Sequence, residues 1–172
     1  MHHRALKGLR SPLLCALAVA AFVPLAAAQA HDGGRHEDGD HGRHRGVTVL
    51  RAALAGSLPT DPAVAGVAPG GAPWVIDEGS ARLRRDGRLR VHVEGLVIPT
   101  PPQNGTNPLP TLSASVVCSG TVAATTPAVP FSPAGDADLR AVVELPSPCV
   151  APGILIHPGT NTTRYIAFSG SR

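Results

Sequence analysis

From residue 47 onward, apolar residues recur in short alternating or β-branched runs, and Gly and Pro interrupt these runs at short intervals. No dozen consecutive residues in this part of the chain keep a helical period of 3.6 without a Pro or Gly between them. The pattern therefore predicts an all-β fold, and specifically a single antiparallel β-sandwich of immunoglobulin-like architecture. The expected strands span residues 47–54, 74–76, 80–84, 88–98, 112–118, 121–125, 137–145, 154–157 and 164–168.

One hairpin, over residues 81–91, can be predicted in detail because only one register keeps its apolar and charged positions apart. A two-residue turn at Asp86 and Gly87 would pair leucine with arginine. A three-residue loop, residues 85–87, instead pairs apolar with apolar positions and places Gly87 where a G1 bulge needs a left-handed residue. The expected pairs are Ala81 with Val91, Leu83 with Leu89, Arg82 with Arg90 and Arg84 with Arg88.

The first thirty residues have the three parts of a secretory signal. A basic start is followed by an apolar stretch over residues 13–23, and Ala28-Gln29-Ala30 supplies small residues for cleavage. The apolar stretch of about 11 residues is short of the roughly 20 that span a bilayer. We therefore expect residues 1–30 to be a signal peptide cleaved after Ala30, which leaves a secreted, extracellular protein without a membrane attachment. A retained membrane anchor is the alternative.

Cleavage would change what the net charge implies about partners. The formal charge of +3 equals the contribution of the three basic residues before Ala30, namely Arg4, Lys7 and Arg10, so the processed chain is close to neutral. A neutral chain gives no electrostatic reason to expect nucleic acid as a partner. Aromatic residues make up only 3% of the sequence, which disfavours a site that stacks sugars or bases.

Two cysteines, Cys118 and Cys149, remain after the expected cleavage. An even number of cysteines in an exported chain indicates a disulfide, and two buried free thiols are the alternative. On the chain-entropy model, closing a loop of about 30 residues stabilises the fold by about 3–4 kcal/mol.

Residues 31–46 contain no aliphatic or aromatic side chain and are rich in Gly and charge. Such a segment cannot bury enough apolar surface to order itself, so we expect a disordered tail followed by one domain, residues 47–172. Imidazole and carboxylate groups together suit zinc, nickel or copper, and weak binding of such an ion is one interpretation of the tail. A solvated leader without a ligand is the other. The candidate metal ligands are His31, His36, His41 and His44.

The arginine side of the hairpin is the second candidate site. Four guanidinium groups on one side of two strands could together bind a polyanion such as a phosphate-bearing wall polymer. The alternative is a solvated sheet face on which Glu78, Glu94 and Asp86 balance the charge. The four residues are Arg82, Arg84, Arg88 and Arg90.

Sequence patterns of common catalytic sites are absent, since the chain has no G-x-S-x-G, HExxH, P-loop or G-x-G-x-x-G motif. His92 and His157 are the only histidines of the expected domain. We therefore expect a protein that is not an enzyme and has no resident cofactor. An enzyme that combines one of these histidines with a carboxylate and a nucleophile is a weaker hypothesis.

Five segments of the domain resemble a group of uncharacterised secreted proteins of high-GC Gram-positive bacteria, and the similarity covers most of residues 47–170. The resemblance implies export and the cysteine pair, and it implies no activity. Taken together, the sequence predicts an extracellular interaction or structural module whose partner is a cell-wall polymer or another extracellular protein, with metal binding by the tail as the alternative. The similar segments are residues 72–77, 88–98, 114–118, 145–149 and 164–167.

Overall fold

The computed structural model describes residues 46–170, and all regular secondary structure in this part of the chain is β-strand. The prediction of an all-β fold is therefore confirmed. The strands are β1 (Thr48–Gly56), β2 (Ala68–Pro69), β3 (Glu78–Arg84), β4 (Arg88–Glu94), β5 (Thr111–Cys118), β6 (Thr121–Thr125), β7 (Val129–Pro130), β8 (Ala137–Val142), β9 (Gly153–Pro158), β10 (Arg164–Tyr165) and β11 (Ala167–Ser169).

Nine of these strands form one antiparallel sheet, in the order β6-β5-β9-β11-β1-β3-β4-β8, with β7 paired to β5. Strand β1 joins the two halves of the sheet. Its first part pairs with β3, and its last three residues pair with β11. The sheet curls into a half-barrel, so that residues from both halves share one core. Hydrogen bonds link the main strands into a single sheet. The immunoglobulin-like sandwich is therefore not confirmed and stays a prediction.

The core lies inside the curl and is made of aliphatic side chains from both halves. Strands β3 and β4 contribute alternate residues, as expected for strands with one solvated face. Strand β5 is buried on both faces from Leu112 to Cys118. The second face of β5 and β9 is covered by a smaller apolar cluster around Tyr165, whose ring meets Phe168 edge-on at 5.8 Å.

The hairpin of β3 and β4 has the predicted register and the predicted three-residue loop. Ala81 pairs with Val91, and Leu83 pairs with Leu89. Gly87 has a φ of +78° and donates its N–H to the carbonyl of Arg84 at 3.0 Å. A Cβ atom at this position would overlap the carbonyl oxygen of Val143, so glycine is required here for its shape as well as for its backbone angle.

Other predicted strands differ from the structure in their limits. The strand expected over residues 74–76 is only an isolated bridge between Val75 and Val97, and Gly95, at a φ of +62°, ends β4 four residues early. The strand expected over residues 164–168 is divided at Ile166 into β10, which pairs with β2, and β11, which pairs with β9 and β1. Strands β2 and β7 were not predicted, because each has two residues and ends in proline.

The predicted disulfide is confirmed. Cys118, at the end of β5, is bonded to Cys149, 31 residues later, with 5.0 Å between the Cα atoms. The bond ties the loop after β8 to the half of the sheet that contains β5. Next to it, Ser119 donates its N–H to the carbonyl of Val150 at 2.7 Å.

The expected signal peptide, residues 1–30, lies outside the described residues. So does the expected disordered tail except for its last residue, Gly46, and so do the four candidate metal ligands His31, His36, His41 and His44. Within residues 46–170, no helix has the length and apolar character needed to cross a membrane.

Candidate functional site

The four arginines of the hairpin lie on its solvent side, as the predicted register requires. The leucines of both strands point into the core, and the arginines alternate with them. Arg82 is directly opposite Arg90. Arg84 and Arg88 follow next to the turn, and the four arginine side chains line a shallow depression of about 140 Å³.

Two further arginines extend this face across the neighbouring strands. Arg51 in β1 lies opposite Arg82, and Arg140 in β8 lies opposite Arg90. Arg51, Arg82, Arg90 and Arg140 therefore form a single row across four adjacent strands, which we call the arginine row. With about 4.8 Å between neighbouring strands, the Cα atoms of the row span about 14 Å.

The sequence indicates that these two arginines are exposed, but it does not indicate their place in the row. Arg51 and Arg140 each interrupt a short apolar run in a predicted strand, which marks them as exposed positions. Which side chains they meet depends on the order of the strands. Since β1 lies next to β3 and β8 lies next to β4, two arginines far apart in sequence continue the hairpin pair on either side.

The arginine row concentrates positive charge on the exposed face of the sheet. Like charges directly opposite each other on neighbouring strands destabilise a sheet, and this row contains three such pairs. Among residues 46–170, no carboxylate forms an ion pair with a row arginine. Arg82 is held instead by Thr48, whose Oγ1 accepts hydrogen bonds from Nε at 3.1 Å and Nη2 at 3.0 Å.

The expected balance of the arginines by Glu78, Glu94 and Asp86 is only partly realised. Asp86 lies 3.7 Å from Arg88, which is a hairpin arginine outside the row. Glu78 and Glu94 face each other across β3 and β4, four residues beyond the row on each strand. The exposed face is therefore polarised, with arginines towards the β3–β4 turn and acids towards the opposite end.

His92 lies between the row and these acids. Its Nδ1 is 3.0 Å from Asp138, and its Nε2 is 3.1 Å from Glu94. The hydrogen bond with Asp138, together with the charges of both carboxylates and the bond with Glu94, raises the pKa of His92 above its ordinary 6.5, against a smaller effect of desolvation. A proton on His92 would thus reduce the negative charge beside the row.

A groove of about 440 Å³ runs along the row and contains all four of its arginines. Ser80, His92 and Asp138, which pair across β3, β4 and β8, also line it, together with Ala81, Val91 and Leu139. A groove lined by a row of cations, together with mixed polar groups, can hold an elongated anionic ligand by charge-assisted hydrogen bonds.

His157 contacts the hydroxyl of Ser115, a group that can act as a nucleophile, but both side chains are buried. Its Nε2 is 2.7 Å from the hydroxyl of Ser115, which in turn is 2.7 Å from the hydroxyl of Thr125. Nδ1 must donate to the carbonyl of Arg164, at 2.6 Å, because a carbonyl only accepts, and Nε2 then accepts from Ser115. Ser115 and His157 are both 0% exposed, so a substrate has no access to them.

Burial lowers the pKa of His157 from its ordinary 6.5, although the hydrogen bond to Arg164 acts in the opposite direction. The chain of hydrogen bonds contains no carboxylate, and it joins β6, β5, β9 and β10. These hydrogen bonds hold the strands of that half of the sheet together.

Within the described part of the chain, no three His, Cys, Asp or Glu side chains are grouped so that they could hold a metal ion. Comparison of the chain with known protein families, with curated proteins and with solved structures finds no match. Among the described residues, the arginine row is the feature with the most specific chemistry.

Proposed function

We propose that this chain is a secreted, non-enzymatic binding module that uses its arginine row to hold an anionic ligand outside the cytoplasm. The observation that carries the proposal is the row itself: four arginines face one another on adjacent strands without an ion-pair partner among residues 46–170. The Cys118–Cys149 disulfide supports an oxidising, extracellular location.

The energetics of the row favour a ligand. Each like-charge pair across two strands costs free energy, which the fold must offset elsewhere. An anion that enters the groove reduces this repulsion. It also accepts charge-assisted hydrogen bonds from the guanidinium groups, whose planar geometry matches phosphate and carboxylate oxygens. Binding should therefore also raise the stability of the folded domain, because the ligand has no such row to bind in the unfolded chain.

The partner we propose is a polymer of the cell wall that carries negative charge. This source agrees with the expected secretion and with the resemblance to exported proteins of high-GC Gram-positive bacteria. Another extracellular protein with an acidic surface is the alternative partner, and the test below separates the two.

The test is sedimentation of the exported protein with purified Gram-positive cell walls, at low and at physiological ionic strength. We expect the wild-type protein to sediment with the walls. The variant Arg51→Gln/Arg82→Gln/Arg90→Gln/Arg140→Gln should stay in solution. Walls stripped of their phosphate polymers provide the control for the ligand. Equal sedimentation of both proteins, or no sedimentation of the wild type at low salt, would contradict the proposal.

Metal binding by the N-terminal tail is a second candidate, favoured by the interleaved histidines and acids of residues 31–46. Calorimetric titration with zinc, nickel and copper tests it on the exported protein and on a variant in which His31, His36, His41 and His44 are replaced by Asn. Since residues 46–170 offer no grouped ligands, binding that disappears in the variant would assign the metal to the tail. Equal titrations would exclude it.

A further inference from the structure

We infer that the ligand is a linear, phosphate-bearing polymer that lies along the arginine row, perpendicular to the strands, and that Arg51 and Arg140 set the length of chain that is bound. This inference rests on the proposed function, because it assigns the direction and the chemistry of the ligand at the same site. It also differs from the hairpin arrangement, in which Arg84 and Arg88 would be the outer contacts.

The distribution of charge decides the direction. Across the strands, a ligand meets an arginine at every step of about 4.8 Å, from Arg51 to Arg140. Along β3 or β4, the next exposed positions on one side lead to the opposed carboxylates of Glu78 and Glu94. On the other side lie Arg84 and Arg88, and Asp86 already pairs with Arg88. A polyanion that runs along the strands would therefore be repelled at one end and would meet two further arginines at the other, one of them already paired.

The shape of the surface agrees with this direction. The groove of about 440 Å³ contains all four row arginines and neither Arg84 nor Arg88. The depression lined by the four hairpin arginines is much smaller, about 140 Å³. The larger of these two spaces is thus the one lined by the whole row.

The spacing of the row decides the class of ligand. The Cα atoms of the four row arginines span about 14 Å, a distance greater than one phosphate or one carboxylate can cover. Full use of the row needs several anions on one chain at short intervals. Phosphate oxygens suit the guanidinium fork, and a phosphate chain has no side groups that must enter the floor of the groove. The same chemistry occurs in free polyphosphate and in wall polymers linked by phosphodiesters.

The experiment is calorimetric titration of the exported protein with orthophosphate, short-chain polyphosphate and long-chain polyphosphate. Two double variants, each of which removes two positive charges, are compared with the wild type. Arg51→Gln/Arg140→Gln removes the ends of the row, and Arg84→Gln/Arg88→Gln is the matched control on the hairpin. We expect long chains to bind much more tightly than orthophosphate. We also expect the row variant to lose about tenfold or more in affinity, and the hairpin variant about threefold or less.

The outcomes separate this inference from the proposed function. Binding that is weakened equally in both variants, or more in the hairpin variant, would overturn the direction and leave anion binding intact. A wild-type protein that binds no phosphate chain but captures an acidic protein would overturn the ligand class. A wild-type protein that binds no polyanion at all would overturn the proposed function as well.

Amide NMR shifts of the wild-type protein give the same answer without a variant. Polyphosphate should shift the resonances of Arg51 and Arg140, on the outer strands of the row, more than those of Arg84 and Arg88. The reverse order would contradict the inference. Competition between polyphosphate and an isolated phosphodiester wall polymer then identifies the source: displacement assigns the row to the wall polymer, and failure to displace leaves free polyphosphate.

Discussion

At the scale of single residues, the two histidines of the domain differ in how deeply they are buried. His157 is enclosed, and its ring is fixed between the hydroxyl of Ser115 and a backbone carbonyl. His92 is partly exposed between two carboxylates. Burial makes the proton costly for the first, and carboxylate neighbours make it favourable for the second. The two side chains therefore give the protein opposite responses to pH.

His157 should make the fold sensitive to acid. Because its pKa is lowered in the folded state, the stability it provides is present above about pH 6.5 and is lost as pH falls below that value. We expect His157→Gln to lower the free energy of unfolding by about 1–3 kcal/mol at pH 7.5 and to flatten its decline between pH 7 and pH 5. Urea unfolding at a series of pH values measures both effects. A wild-type protein and variant with parallel pH profiles would contradict this account.

His92 should make ligand binding stronger in mild acid. Its pKa is raised, so it becomes charged at a pH above 6.5 as the solution is acidified, and the net negative charge that it forms with Asp138 and Glu94 decreases. Glu78 and the row arginines are further charged groups on the same face. The affinity for polyphosphate should rise a few-fold from pH 8 to pH 6, with a smaller change in His92→Gln.

His92 also affects stability, in the opposite direction from His157. A raised pKa in the folded state gives stability that is present below pH 6.5 and is lost as pH rises through the folded value. The binding prediction is read from titrations at constant ionic strength. If the wild-type protein and His92→Gln change affinity in parallel, His92 does not control the charge of the groove.

At the scale of elements, the hairpin shows how far local pattern determines structure. Its register and its loop follow from alternation and from one glycine, and both were predicted from the sequence. The partners of Arg51 and Arg140 were not, because they depend on the order of strands that are distant in the chain. Alternation says which face a residue lies on, but the neighbours on that face come from tertiary packing. The hairpin arginines were therefore predictable, whereas the row was not.

Gly87 is the position where this local pattern is most sensitive to substitution. Gly87→Ala combines a positive φ with overlap on the carbonyl of Val143, and we expect a loss of about 3 kcal/mol or more. Gly120 has nearly the same φ, +77°, but no neighbouring atom lies within 4 Å of the point that a Cβ atom would occupy. Gly120→Ala should therefore cost only about 1–2 kcal/mol. Thermal or urea unfolding measures both, and equal losses would contradict the role of the contact.

At the scale of the whole domain, the chemistry is divided between the two halves of one curled sheet. The strands β1, β3, β4 and β8 present the arginine row, while β5 and β9 carry the buried histidine network. The disulfide links β5, in the second of these halves, to the loop after β8. The sequence predicted the class of fold and the bond between the cysteines. It could not predict the single curled sheet, because closure of a sheet depends on how β1 divides its pairing between two partners.

Removal of the disulfide should affect stability without affecting binding. We expect Cys118→Ser/Cys149→Ser to lower the free energy of unfolding by about 3–4 kcal/mol. Below its melting temperature, the variant should bind polyphosphate like the wild type, because neither cysteine lies on a strand of the arginine row. Urea unfolding and calorimetry test the two statements. Unchanged stability, or a loss of affinity in the folded variant, would contradict this division of the domain.

The measurement that tests the central claim most directly is the salt dependence of polyphosphate binding by the protein. If the arginine row holds the ligand, the logarithm of the association constant should fall steeply and linearly with the logarithm of the NaCl concentration. The variant without the four row arginines should lose nearly all binding at every salt concentration. Binding that is insensitive to salt, or equal in the two proteins, would show that the row is not the binding site.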